Sequence, residues 1–116
     1  MIQIFGGRKC RATQRALRFF KDRGIEVQFR DIEIKPPSPG ELDDIARSAG
    51  GFPALLDDDS PAARARGLAH LVYDAREELL RDAGLLRTPL VRPGKGQAAV
   101  GMDEKAWKLF ADASKG

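Results

Sequence analysis

The strongest constraint on the fold lies in the first 32 residues, where two short apolar runs bracket a segment of helical period. Ile2-Gln3-Ile4-Phe5 is β-branched or aromatic except at Gln3 and stops at Gly6-Gly7, which reads as a buried strand. Over residues 11–23 the period changes. Ala12, Ala16, Phe19 and Phe20 fall on one helical face, Arg11, Arg15, Arg18 and Asp22 on the other, and Gly24 supplies a stop. Residues 26–32 return to alternation, with Val27 and Phe29 set against Gln28 and Arg30. Strand, helix and strand with links this short predict two parallel strands joined by a right-handed crossover.

Pro36-Pro37 closes that unit. Ser38-Pro39-Gly40-Glu41 then has the pattern of a helix start, with Ser38 as cap, Pro39 in the first turn and Glu41 completing a capping box. Leu42, Ile45, Ala46 and Ala49 form its apolar face, and Gly50-Gly51 end it. Phe52–Leu56 reads as a single helical turn, Ser60-Pro61 starts a helix over about 62–70, and Asp74 caps another that stops near Gly84. Leu90-Val91 and Ala98-Ala99-Val100, joined through Arg92-Pro93-Gly94-Lys95-Gly96, read as a hairpin. Asp103 caps a last helix with Ala106, Trp107, Phe110 and Ala113 on its apolar face, and Met102 is placed to staple against Trp107. The order β-α-β, helices, β-β-α predicts one α/β domain over 1–116, with a mixed four-stranded sheet and a helical insertion at about 38–84. A chain of 116 residues suits one such core.

The net charge of +3 is too small to argue for direct nucleic-acid binding. The basic stripe Arg11-Arg15-Arg18 reads either as a solvated helix face or as a contact for an acidic protein surface or the carboxylates of glutathione. The apolar start precedes its charges rather than following them, and no apolar run approaches the ~20 residues of a membrane span, so a soluble protein is expected. With one cysteine an internal disulfide is impossible, and the reducing cytoplasm is the simplest location. Asp57-Asp58-Asp59 reads as a solvated loop, and no metal site is expected. His70, the single histidine, is expected to be a partly buried helix residue.

Cys10 is the candidate for chemistry. It lies between the glycine loop and the first helix, where unpaired N–H groups and the positive end of the helix dipole favour a thiolate. Arg8, Lys9 and Arg11 add three cations, and the same arrangement attracts an oxyanion. The alternative is a small buried filler. Cys10-Arg11-Ala12-Thr13 has the spacing of a Cys-x-x-Cys redox pair with Thr13 in the second place. Thr13 reads either as a hydrogen-bond donor to the thiolate or as an ordinary first-turn residue. Without a resolving cysteine, turnover requires an external thiol such as glutathione, or a second protein.

The run Ile4-Phe5-Gly6-Gly7-Arg8-Lys9-Cys10, the exit Arg23-Gly24-Ile25, the strand end Phe29-Arg30-Asp31 and the closing Leu86-Arg87-Thr88-Pro89-Leu90-Val91, Val100-Gly101 and Trp107 resemble the glutaredoxin-type arsenate reductase and Spx family. The resemblance implies a thioredoxin-like fold with a helical insertion, Cys10 as nucleophile, and Pro89 as a cis-proline packed against the cysteine loop. The family carries an arginine directly before that proline to help hold the anion. Here Thr88 stands there and Arg87 one residue back, which in a strand turns a side chain to the opposite face. Arg92 reads either as a further candidate anion ligand or as a decoration of the turn. Thr88-Pro89 is similar to the pair in thioredoxins and glutaredoxins, where the backbone before the proline pairs with a peptide or glutathione. A second family arginine, after the segment like Leu55-Leu56, is replaced by the three aspartates.

The expected function is therefore a monothiol, glutathione-linked thiol-disulfide oxidoreductase. Cys10 is catalytic, Arg8, Arg11, Thr13 and Arg87 are the candidates for stabilising its thiolate or an anion, and Thr88 and Pro89 face the substrate. No bound cofactor is expected, and glutathione or a thiol-containing protein is the expected partner. The alternative implied by the resemblance is an Spx-like redox-sensing regulator that binds RNA polymerase without turnover.

Overall fold

A computed structural model describes residues 1–115. Strand β1 (Ile2–Gly6) lies inside a four-stranded sheet of order β2-β1-β3-β4. It runs parallel to β2 (Val27–Asp31), from Ile2 opposite Val27 to Gly6 opposite Asp31, and antiparallel to β3 (Leu90–Gly94), with Ile4 opposite Val91. Strand β4 (Gln97–Val100) completes the hairpin, antiparallel to β3. The order of elements is the one the sequence predicts.

Alternation along the strands divides the interior in two. Ile2, Ile4, Val91 and Ala99 pack beneath helix α1 (Arg11–Asp22) and the last helix, α5 (Glu104–Lys115), with Phe20, Trp107 and Ala111. Phe5 and Leu90 point the other way, into a second cluster with Leu42, Ile45, Leu55, Leu68, Leu79 and Leu85 of the helical insertion. The sheet is thus covered on both faces, and each fully buried large side chain contributes about 1.5–3 kcal/mol. No helix among the described residues is long and apolar enough to cross a membrane.

Two helix faces are set differently from the simple periodic reading. In α1 the fully buried positions are Thr13, Ala16 and Phe20, while Ala12 and Phe19 are only half-buried. The rotation brings Thr13 down onto Gly6, where a Cβ would lie 2.9 Å from the Thr13 Cβ and closer still to its branches. In α5, Trp107 and Ala111 are buried and Ala113 is exposed. Trp107 takes its edge contact from Phe19, with ring centroids 5.7 Å apart, while Met102 is 52 % exposed and is no staple.

The insertion begins with α2 (Pro39–Ala49), whose capping box is complete: Glu41 N–H donates to Ser38 Oγ, and Ser38 N–H donates to a Glu41 carboxylate oxygen. A 3-10 turn at Phe52–Leu55 follows. The helix expected over 62–70 is shorter: α3 (Pro61–Arg66) stops at Gly67, which takes a left-handed φ of 62° and starts a 3-10 turn over Leu68–His70. His70 is exposed there rather than partly buried. Helix α4 (Ala75–Arg81) is capped by Asp74, and Asp82 accepts from Gly84 N–H to turn the chain into a last 3-10 turn, Ala83–Leu85.

The second part of the insertion closes on itself. Leu56 and Leu86 form an isolated antiparallel bridge, Asp57 N–H donates to Leu85 O at 2.8 Å, and Arg87 N–H donates to Leu55 O at 2.7 Å. Two ion pairs fasten the insertion to the sheet. Arg30 of β2 grips Glu41 through two bonds of 2.9 Å, and Arg92 of β3 reaches Asp44 at 2.9 Å and Gln3 at 3.0 Å. Both arginines are about 90 % buried.

Candidate functional site

Cys10 is the N-cap of α1. Its backbone is extended, its N–H donates to Gly7 O at 3.1 Å, and its C=O accepts from Gln14 N–H at 3.0 Å. Gly6-Gly7 allows the tight passage from β1 into this turn, and the first N–H groups of the helix are left facing the thiol. Thr88 lies opposite, in the segment that leads from the insertion into β3, and its peptide bond to Pro89 is cis. Pro89 is buried and its C=O accepts from Gly101 N–H at 2.8 Å. Thr88 Oγ1 donates to Cys10 Sγ at 3.2 Å. No backbone hydrogen bond among the described residues uses the N–H or C=O of Thr88.

The thiol pKa lies below its ordinary value. Burial raises it, but the Thr13 hydroxyl, the Thr88 hydroxyl and the backbone N–H groups of Thr13 and Ala12 together outweigh that penalty. Thr13 Oγ1 is completely buried and makes no hydrogen bond of full geometry among the described residues. Its hydroxyl nonetheless helps hold the Cys10 thiol down, and its own hydrogen-bonding capacity is not met elsewhere among the described residues.

The arginines expected around the thiol are placed elsewhere. Arg8 pairs with Asp31 at the end of β2, Nε to carboxylate 3.1 Å. Arg11 turns onto the outer face of α1. Arg87 donates to Leu56 O at 3.2 Å, in the neck of the insertion, and its stem packs against Gly101. Arg92 is taken up by Asp44 and Gln3. Hydroxyls and helix N–H groups, not guanidinium charges, hold the thiol down. The reason is local: each of these arginines finds a carboxylate, an amide, a carbonyl or open water at the reach of its own stem. The Thr88 hydroxyl contact is the element the sequence did not supply, because Thr88 is 78 residues from Cys10 and attracted notice there only for its backbone.

A cleft of about 510 Å³ adjoins the thiol at Gly7 and Thr88 and runs between Ile32 and Pro36 on one side and Arg81–Gly84 on the other. The three aspartates do not enter it. Asp57 folds back on Asp59 N–H, and Asp58 and Asp59 are exposed ahead of the Ser60 cap. Among the described residues no group of three or more His, Cys, Asp or Glu side chains is gathered closely enough to hold a metal ion.

No protein-family model matches the chain, and no curated protein matches its sequence. Solved structures do. A protein named YffB superposes with a TM-score of 0.82 at 16% identity, covering 96% of this chain and 99% of that one. An arsenate reductase from Vibrio cholerae gives 0.78 at 21% identity, covering 94% and 96%. An ArsC family related protein from Bacteroides fragilis gives 0.83 at 17% identity, also covering 94% and 96%. At these identities the likeness is one of fold: the chain has the thioredoxin-like α/β architecture of the arsenate reductase-related structures, over nearly its whole length.

Proposed function

We propose that the protein is a monothiol oxidoreductase that uses Cys10 to reduce mixed disulfides with glutathione as the external thiol. The observation that carries this reading is the Cys10 thiol at the start of α1, held below its ordinary pKa and touched by Thr88 Oγ1 at 3.2 Å. The Cys10 thiolate attacks the glutathione sulfur of a substrate mixed disulfide. The old S–S bond breaks, the substrate leaves as a thiolate that takes a proton from water, and Cys10 is left disulfide-bonded to glutathione. A second glutathione, as thiolate, attacks the sulfur of that glutathionyl group, forming oxidised glutathione and returning the Cys10 thiolate. Two electrons pass from the glutathione pair to the substrate sulfur, and the chain itself ends unchanged.

The free N–H and C=O of Thr88 support a substrate peptide lying extended beside the thiol, where it gains two backbone hydrogen bonds. The adjoining cleft gives the glutathione moiety room. Arsenate is the weaker substrate, since Arg87 is committed to Leu56 O and among the described residues no guanidinium contributes to lowering the Cys10 pKa.

The test is glutathione-dependent reduction of a glutathionylated peptide and of arsenate, with Cys10→Ser as control. Disulfide turnover that vanishes in Cys10→Ser supports the proposal. Absence of Cys10-dependent turnover overturns it, and RNA polymerase binding that survives Cys10→Ser would then put the regulator reading in its place.

A further inference from the structure

Nearly every arginine of the chain has an internal partner: a carboxylate, a carbonyl oxygen or an aromatic ring. Among the described residues the two exceptions are Arg11 and Arg18. Both lie on the outer face of α1, and both line the same cleft of about 770 Å³. Its other cations are already engaged: Arg15 is paired with Glu104 at 2.6 Å, and Arg23 lies 3.5 Å over the Phe19 ring. Its apolar surface is supplied by Phe19 and by Met102, which is 52 % exposed.

We propose that this face docks an acidic segment of the protein whose cysteine Cys10 reduces. The inference rests on the oxidoreductase reading and names the class of its macromolecular substrate. Arg11 and Arg18 are seven residues apart, about 10 Å along a helix axis, which an extended chain spans in roughly three residues. Alternate residues share a face of such a chain, so two carboxylates four residues apart would reach both flexible guanidiniums, and the apolar side chain midway between them would cover Phe19 and Met102. Arg11 directly follows Cys10, so a segment seated here is continuous with one whose cysteine lies at the thiol. Phosphate backbones fit less well, because Asp22 and Glu104 stand in the same cleft and would repel an evenly charged strand.

The test uses three synthetic peptides of equal length, each with one glutathionylated cysteine flanked by Glu, Gln or Lys at matched positions. The readout is the ratio of kcat/KM between the Glu and Gln peptides, in the native chain and in Arg11→Gln/Arg18→Gln. We expect a ratio of about five in the native chain, falling toward one in the variant and at high salt. Equal rates for the Glu and Gln peptides, or a preference untouched by the variant, would overturn the docking proposal while leaving the oxidoreductase reading standing. If no peptide turns over, the oxidoreductase reading fails and docking is still decided by fluorescence anisotropy of the unmodified peptides on the Cys10→Ser chain. Tighter binding of the Glu peptide that weakens in the triple variant supports it, and equal binding overturns it. A single-stranded oligonucleotide that binds the same two arginines more tightly than the Glu peptide also overturns it, in favour of a nucleic-acid surface.

Discussion

Thr88 Oγ1 meets Cys10 Sγ at 3.2 Å and joins two segments 78 residues apart, the turn into α1 and the entry to β3. The bond is worth most when the sulfur is ionised, because a charged acceptor strengthens it. Thr88→Val should therefore raise the thiol pKa and shift the pH profile of iodoacetamide alkylation to higher pH. At neutral pH the alkylation rate should fall roughly three- to tenfold. An unchanged profile would mean that the hydroxyl contributes nothing to the thiolate.

Thr13 offers a different balance. Its hydroxyl is buried and without a hydrogen bond of full geometry, yet it helps hold the thiol down. Thr13→Val keeps the branched shape and removes the oxygen. The expected result is a slower-reacting Cys10 with fold stability within about 1 kcal/mol of the native chain, because an unsatisfied buried group is lost along with a useful one. Chemical denaturation and alkylation kinetics measured on the same variant separate the two effects.

Gly6 has no room for a side chain, since a Cβ there would press on three atoms of Thr13. Gly6→Ala should destabilise the fold by about 1–3 kcal/mol, the usual cost of overpacking. Truncating the neighbour in Gly6→Ala/Thr13→Ala should recover part of that loss. A single variant as stable as the native chain would show that α1 moves away freely.

The Arg30–Glu41 pair sets an acid limit. Arg30's hydrogen bonds hold the Glu41 carboxyl at about 2, against 4.5 for the free group. A folded-state pKa below the unfolded one means that the pair's stabilisation is fully present above pH 4.5 and is lost as the pH falls from about 4.5 to about 2. After allowance for solvent screening, the loss should be about 1–2 kcal/mol. Glu41→Gln should remove that part of the pH dependence in urea midpoints taken across the range.

The ends of the chain were the most readable part. Ile2–Phe5 and residues 26–32 have strand periods, Gly6-Gly7 and Gly24 punctuate them, and each strand finds the partner its neighbours dictate. Local capping was equally legible at Ser38, Ser60, Asp74 and Asp103, because a cap and its N–H lie within three residues. The exact rotation of α1 was hidden, since Phe19 and Ala12 look as apolar as the residues that point inward, and only the bare Gly6 backbone selects Thr13. At the candidate site the position of Cys10 at a helix start follows from local pattern. The destinations of Arg8, Arg87 and Arg92 do not, since each is chosen by an acceptor that only the folded chain brings near.

The bridge between Leu56 and Leu86 gives the second part of the helical insertion a closed neck, with its two exits a strand spacing apart. The segment from Asp57 to Leu85 is closed off by that neck, so residues added at its exposed turns cost little closure entropy, while Leu68, Leu79 and Leu85 stay tied to the core with Phe5 and Leu90. Thr88 stands two residues past the neck, and so its distance from Cys10 is set by the clasp rather than by the helices beyond it. The exposed residues of that segment can therefore change, and carry a different recognition surface, without re-aiming the hydroxyl at the sulfur, so long as its buried leucines are kept.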